Sequence, residues 1–144
     1  MTDREIPCRA DYAWFRTVTA RWMDNDVYGH VNNAHYYSYF DSVINAFLIE
    51  RGGLDILRDP VVGFVVASSC QFFRPVSYPV DLEIGLRVDR LGRSSAHYGV
   101  AVFAPGDAQA RAAGTMVHVF VERAASRSTE IPGPIRAALQ SLAR

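Results

Sequence analysis

The sequence predicts an α+β fold in which a five-stranded antiparallel sheet lies against one long helix, with a short helix at the C-terminus. Two observations carry this. Between Asn32-Asn33 and Gly52-Gly53, apolar residues recur at helical spacing. On either side of that stretch, segments rich in β-branched and aromatic residues alternate at strand spacing or run on as continuous apolar tracts. The 144 residues fit one domain spanning 1–144, long enough to bury roughly two thirds of its unfolded surface.

In chain order, residues 1–12 are polar and without period, and read as a loose leader. Strand character begins at Trp14 and continues towards Met23, with Trp14, Val18, Ala20 and Trp22 on one side of an extended chain. The turn DNDVYGH follows. Asn32 or Asn33 is placed to cap the helix, and Tyr36, Phe40, Val43, Ile44, Phe47 and Leu48 form one buried face. Gly52-Gly53 supplies the C-terminal stop.

The tract VVGFVVASSCQFFRP is apolar on both faces and is expected to be a central, doubly covered strand. From Val80 to Asp89 the alternation is strict. LGRSS then turns into a strand carrying Ala96, Tyr98, Val100 and Val102 on one face, and Pro105-Gly106-Asp107 turns into the last strand, with Thr115, Val117, Val119 and Val121 on one face. These four strands are read as three hairpins. Pro134 opens a short terminal helix with Ile135, Leu139 and Leu142 at helical spacing. One helix covers one face of such a sheet, and bulky residues on both faces call for a second copy of the chain.

Fifteen basic residues balance fifteen acidic ones, so no global field favours nucleic acid or an anionic membrane. The first residues lack the basic start and apolar run of a secretory signal, and no run reaches the ~20 apolar residues of a membrane span. A cytoplasmic setting is expected, with Cys8 and Cys70 as free thiols.

The chemistry concentrates in DNDVYGHVNN. A carboxylate just ahead of a helix start can activate water or attack directly, while the unpaired N–H groups of the first turn polarise a carbonyl oxygen. Asp26 is the candidate for that carboxylate, and Asp24 is read as structural. His30 is expected to hydrogen-bond near the turn and help orient a substrate. His30 and His35 are five apart with no third ligand in view, which argues against a metal. Serine-hydrolase and nucleotide-loop motifs are absent. Arg74, Arg93, Ser94 and Ser95 could hold anionic phosphates at a rim, and Tyr36 and its aromatic neighbours could line an apolar tunnel.

The run RWMDNDVYGHVNNAHYYSYFD resembles the signature of the hotdog-fold thioesterases of the 4-hydroxybenzoyl-CoA thioesterase type. QFFRPVSYPVDLEI, RLGRSSAHY and IPGPIRAAL agree with later family segments in order and spacing, so the likeness spans about residues 14–138. The family's Arg-Pro segment is usually followed by Gly-Asp, whereas Val80-Asp81 stands here. The resemblance implies the hotdog fold and hydrolysis of an acyl- or aryl-CoA thioester without a cofactor. It also implies Asp26 as the catalytic carboxylate, a backbone N–H near Asn33 as the oxyanion donor, and dimers or tetramers with sites between subunits. The rival reading is a non-catalytic acyl-CoA-binding module.

Overall fold

The long helix forms where the spacing predicts it. In the computed structural model, which describes residues 5–143, α1 runs over Asn33–Glu50. Asn32 is its cap, its side chain accepting the Ala34 N–H. All six residues of the predicted face are buried, and Tyr39 joins them. Phe40, Val43 and Ile44 have no exposed surface; each such side chain contributes about 1.5–3 kcal/mol by leaving water. The helix ends as Gly53 takes φ +70, a left-handed conformation that side chains disfavour, and the Leu54 N–H returns to the Leu48 carbonyl at 3.1 Å.

Around this helix curls one antiparallel sheet: β1 (Trp14–Thr19), β2 (Val61–Phe72), β3 (Asp81–Leu91), β4 (Ser95–Phe103) and β5 (Ala112–Glu122), with a two-residue β6 (Arg127–Ser128) added to the end of β5. The short α2 (Gly133–Gln140) closes the C-terminal side. Strand order is β1-β3-β4-β5-β2. Alternation in β3 works as read: Leu82, Ile84, Leu86 and Val88 are buried towards α1, as are Ala96, Tyr98, Val100 and Val102 of β4. On β5 the core-facing residues are Met116, His118 and Phe120, so the valine set occupies the outer face.

Three expectations are corrected. First, β2 is an edge strand, paired among the described residues to β5 alone, with Phe64, Val65 and Val66 at 56%, 45% and 59% exposure. A continuous apolar run shows that both faces want cover, not that this chain supplies it. Consequently only β3-β4 and β4-β5 are hairpins among the four long strands. Residues 73–80 instead cross from the β2 edge to β3, passing the N-terminal end of α1. Second, strand β1 stops at Thr19, and the chain tightens into a 3₁₀ turn at Trp22–Asp24 that leaves Trp22 82% exposed. Third, the described part of the leader is docked. Arg9 donates to the Asp107 and Ala104 carbonyls and pairs with Glu83, the Ala110 N–H donates to Pro7, and Tyr12 packs over Phe103 and Gly85. A Cβ at Gly85 would sit 2.9 Å from Tyr12, so this glycine permits the contact. Residues 1–4 lie outside the described residues.

Candidate active site

The site loop, residues 20–32, is suspended between β1 and α1 and braced by the crossover. Its outer limb closes on itself: the Asp26 N–H donates to the His30 carbonyl and the Gly29 N–H to the Asp26 carbonyl, both at 3.0 Å, with Gly29 at φ +85. Its base is tied to residues 76–78. The Val31 N–H donates to Val76 (2.8 Å), the Tyr78 N–H to Asn25 Oδ1 (3.0 Å) and the Ser77 hydroxyl to the Gly29 carbonyl (2.8 Å).

Behind the loop lies Asp24, with no exposed surface. Its carboxylate accepts the Tyr39 hydroxyl at 2.6 Å, the Arg21 N–H at 2.9 Å and the Arg21 Nε at 3.0 Å. Burial works to raise its pKa, yet the donors from Tyr39 and Arg21 outweigh burial and hold it below the usual carboxylate value. Burial and the bond to Asp24 in turn push the Tyr39 hydroxyl upward. Asp24 is therefore a charged structural clamp, as the sequence leads one to expect.

In front lies a cavity of about 570 Å³. Asp26, His30, Asn33, Tyr36 and Arg74, five of the residues singled out in the sequence, line it together. Asp26 is partly exposed there: Oδ1 accepts the Tyr28 N–H at 2.9 Å, and Oδ2 accepts the Asn32 amide at 3.2 Å. Each oxygen keeps further acceptor capacity. The first-turn donors of α1 are mostly spent, Ala34 on the Asn32 side chain and His35 on the Asn32 carbonyl. As the first helical residue, Asn33 has no intrahelical partner for its N–H. Asp26 and the first residue of α1 thus border one space, and the positive end of a helix favours negative charge near it.

Tyr36 forms the floor, its ring edge-on to Phe72 at 4.9 Å. Burial, reinforced by nearby Cys70, pushes its hydroxyl up to about 12, so it is neutral at ordinary pH. Burial likewise pushes the Cys70 thiol up to about 11, which keeps it protonated and unsuited to nucleophilic attack. Arg74 stands at the rim, 3.5 Å from Asp107 and more than half exposed, so its guanidinium is available to an anion. His30 borders the cavity, while His35 turns to Asp24, its Nδ1 at 3.7 Å from the carboxylate. Among the described residues no group of three or more His, Cys, Asp and Glu is arranged to hold a metal.

Arg93, Ser94 and Ser95 are not brought to this cavity. Their turn packs at the other end of the molecule: the Arg93 carbonyl takes the Ile131 N–H and the Arg136 guanidinium beside α2. The C-terminal end of α1 also meets α2 there, at Gly52 and Ile135, and an 18-residue helix separates its two ends by about 27 Å. Phe72 and Phe73 join the lining but were read only as strand residues; the aromatic pair directly before Arg74-Pro75 is the signal that could have pointed to them.

The model of the thioesterase-like superfamily matches residues 19–139, and the chain belongs to that family. Its fold and family are those of a thioester hydrolase of the hotdog class. The PA5185 protein from Pseudomonas aeruginosa strain PAO1 is 52% identical, with 96% of this chain and 97% of that one covered at a TM-score of 0.95. A 1,4-dihydroxy-2-naphthoyl-CoA thioesterase from Synechocystis, at 17% identity, shares the fold over 89% of this chain and 96% of its own, with a TM-score of 0.79. The YsmA protein of Bacillus subtilis is 23% identical over 87 residues, and the match spans 60% of this chain and 58% of that protein.

Proposed function

We propose that the chain is a cytoplasmic acyl-CoA thioesterase, hydrolysing an acyl- or aryl-CoA thioester to the free acid and CoA. The observation that carries this reading is that Asp26 and Asn33, the first residue of α1, line one cavity. With the thioester carbonyl oxygen against that N–H, Asp26 takes a proton from water as the water attacks the carbonyl carbon. The tetrahedral oxyanion is stabilised at the helix end, the C–S bond breaks, and the proton passes to the departing thiolate. Direct attack by Asp26 would form a mixed anhydride that water then cleaves, and the same geometry serves both routes. His30 flanks the thioester, Tyr36 and Phe72 meet the apolar part of the substrate, and Arg74 offers charge to a CoA phosphate at the rim.

The fold reading extends to assembly. β2 is twelve residues long and apolar, no strand among the described residues pairs with its outer side, and an edge of that kind is a template for another strand. The proposed occupant is β2 of a second copy, giving a homodimer, alone or within a tetramer. A non-catalytic acyl-CoA-binding module is the competing reading, but binding alone gives no reason to set a carboxylate beside a helix-terminal donor. The test is colorimetric thiol release from a panel of aromatic, short-chain and long-chain acyl-CoAs, with light scattering on the same sample. Turnover by a dimer or tetramer is expected. Thioesters that bind but release no thiol would establish the binding module, and a fully active monomer would overturn the assembly.

A further inference from the structure

The Asn32 side chain carries one bond more than a helix cap needs. Its Oδ1 accepts the Ala34 N–H at 3.0 Å, which is the capping bond. Its Nδ2 donates to Asp26 Oδ2 at 3.2 Å. The orientation of the amide is determined by these partners, since an N–H must face the oxygen and a carboxylate must face the NH₂. The backbone of Asn32 is equally committed: its N–H donates to the Asp24 carbonyl at 2.9 Å and its carbonyl accepts the His35 N–H at 3.0 Å. Aspartate or serine would cap the helix as well, but aspartate has no donor for Asp26 and the serine hydroxyl is too short to serve both sides.

We propose that Asn32 is the positioning residue of the site, coupling the Asp26 carboxylate to the first turn of α1 so that carboxylate and Asn33 N–H are held as one unit. This rests on the hydrolytic reading above. Among the described residues, the Asp26 carboxylate has one other hydrogen-bond donor, the Tyr28 N–H, from a residue that is itself 84% exposed. Without the amide the carboxylate is free to swing about its side-chain torsions away from the donor it must work beside. Misplacement of a reacting group on that scale costs rate rather than substrate affinity.

The charged and titratable groups around Asp26 are His30 and Tyr28 from its own loop, Tyr36 from α1, Arg74 after β2, and Tyr78 from the crossover, which shares with Asp26 a second, outer cavity. Asp24 lies behind the loop, engaged by Tyr39 and Arg21. Substitution of Asn32 leaves all of these in place.

The experiment compares Asn32→Asp and Asn32→Ser with the wild type by thermal unfolding, by the pH profile of kcat/KM on the best thioester of the panel, and by carbon NMR of the Asp26 carboxyl, assigned through its loss in Asp26→Asn. Both variants keep a capping side chain, so Tm should move by only a few degrees. Both should lose about tenfold or more in kcat with KM changed by less than about threefold. In Asn32→Asp a second carboxylate replaces the donor, and the acidic limb of the profile and the NMR midpoint should both rise by on the order of one pH unit. Wild-type kcat in Asn32→Ser, or an unmoved midpoint in Asn32→Asp, overturns the proposal. Absence of turnover in the wild type overturns the hydrolytic reading instead, and the NMR midpoint then still decides whether Asn32 holds Asp26.

Discussion

Two carboxylates stand two residues apart on opposite sides of the same loop, and their surroundings differ in every respect that matters for chemistry. Asp24 has no exposed surface and is met by a tyrosine hydroxyl, a backbone N–H and a guanidinium. Asp26 is partly exposed, borders a cavity, and is held by one backbone N–H and one amide. Donors of that number stabilise the charge of Asp24 so well that little basicity is left, whereas Asp26 has acceptor capacity facing the space a substrate can enter. The pair shows one acid used to build the loop and the other used on what binds to it.

The largest effect expected from breaking this contrast is in Asp26→Asn. The amide keeps the volume and an acceptor for the Tyr28 N–H but cannot act as base or nucleophile. The rate kcat should fall by at least about 10², the low end of what general-base catalysis contributes, while Tm and thioester binding stay near wild type. Near wild-type kcat would return the carboxylate to a structural role.

Asp24→Asn should show the complementary pattern. Removing the charge weakens the bonds from Tyr39 and Arg21, and hydrogen bonds to charged groups contribute about 1.5–3 kcal/mol each when buried. The Arg21 side chain is 61% exposed, so the Tyr39 bond should dominate. Denaturant unfolding should therefore lose on the order of 2 kcal/mol, with kcat reduced less than tenfold. A dead but stable Asp24→Asn would exchange the two roles.

This division could be read in the sequence only in part, because some signals are local and others are not. The helix face, the cap at Asn32 and the stop at Gly52-Gly53 depend on residues within a few positions of one another, and all appear as expected. The place of β2 depends on its partner β5, about fifty residues later, and an apolar strand looks alike at a sheet centre or at an edge awaiting a second chain. The docking of residues 5–12 rests on Arg9 reaching loop carbonyls, which leaves no hydrophobic period to find. Arg93, Ser94 and Ser95 have suitable chemistry for phosphate, yet topology puts their turn at the opposite end of α1 from the cavity. His118 is hard to find in the sequence because the valines flanking it put the apolar period of β5 on the other face.

That histidine sharpens the comparison from a third side, since it is buried like Asp24 but lacks the partners that would keep it charged. His118 is 1% exposed, its Nδ1 is 3.2 Å from the Tyr98 hydroxyl, and its ring lies against Gly63, where a Cβ would come within 2.7 Å. Burial pulls its pKa down from 6.5 to about 4, against a smaller opposing influence from Asp41 on α1. In the unfolded chain the imidazole binds its proton near pH 6.5, whereas in the folded chain it does so only near 4. The folded state is thus fully favoured by this group above pH 6.5 and loses that advantage as pH falls towards 4, by roughly 3 kcal/mol at about 1.4 kcal/mol per pH unit. Asp24, with its pKa below the ordinary carboxylate value, stays charged through this window and withdraws its contribution only at lower pH. Urea unfolding at intervals from pH 7 to 4 should show this decline in the wild type. His118→Gln, which can still bond to Tyr98 but cannot titrate, should be much flatter between pH 6.5 and 4 while keeping any loss below that. If the two curves ran parallel, the acid sensitivity of the fold would belong to its carboxylates and not to this imidazole.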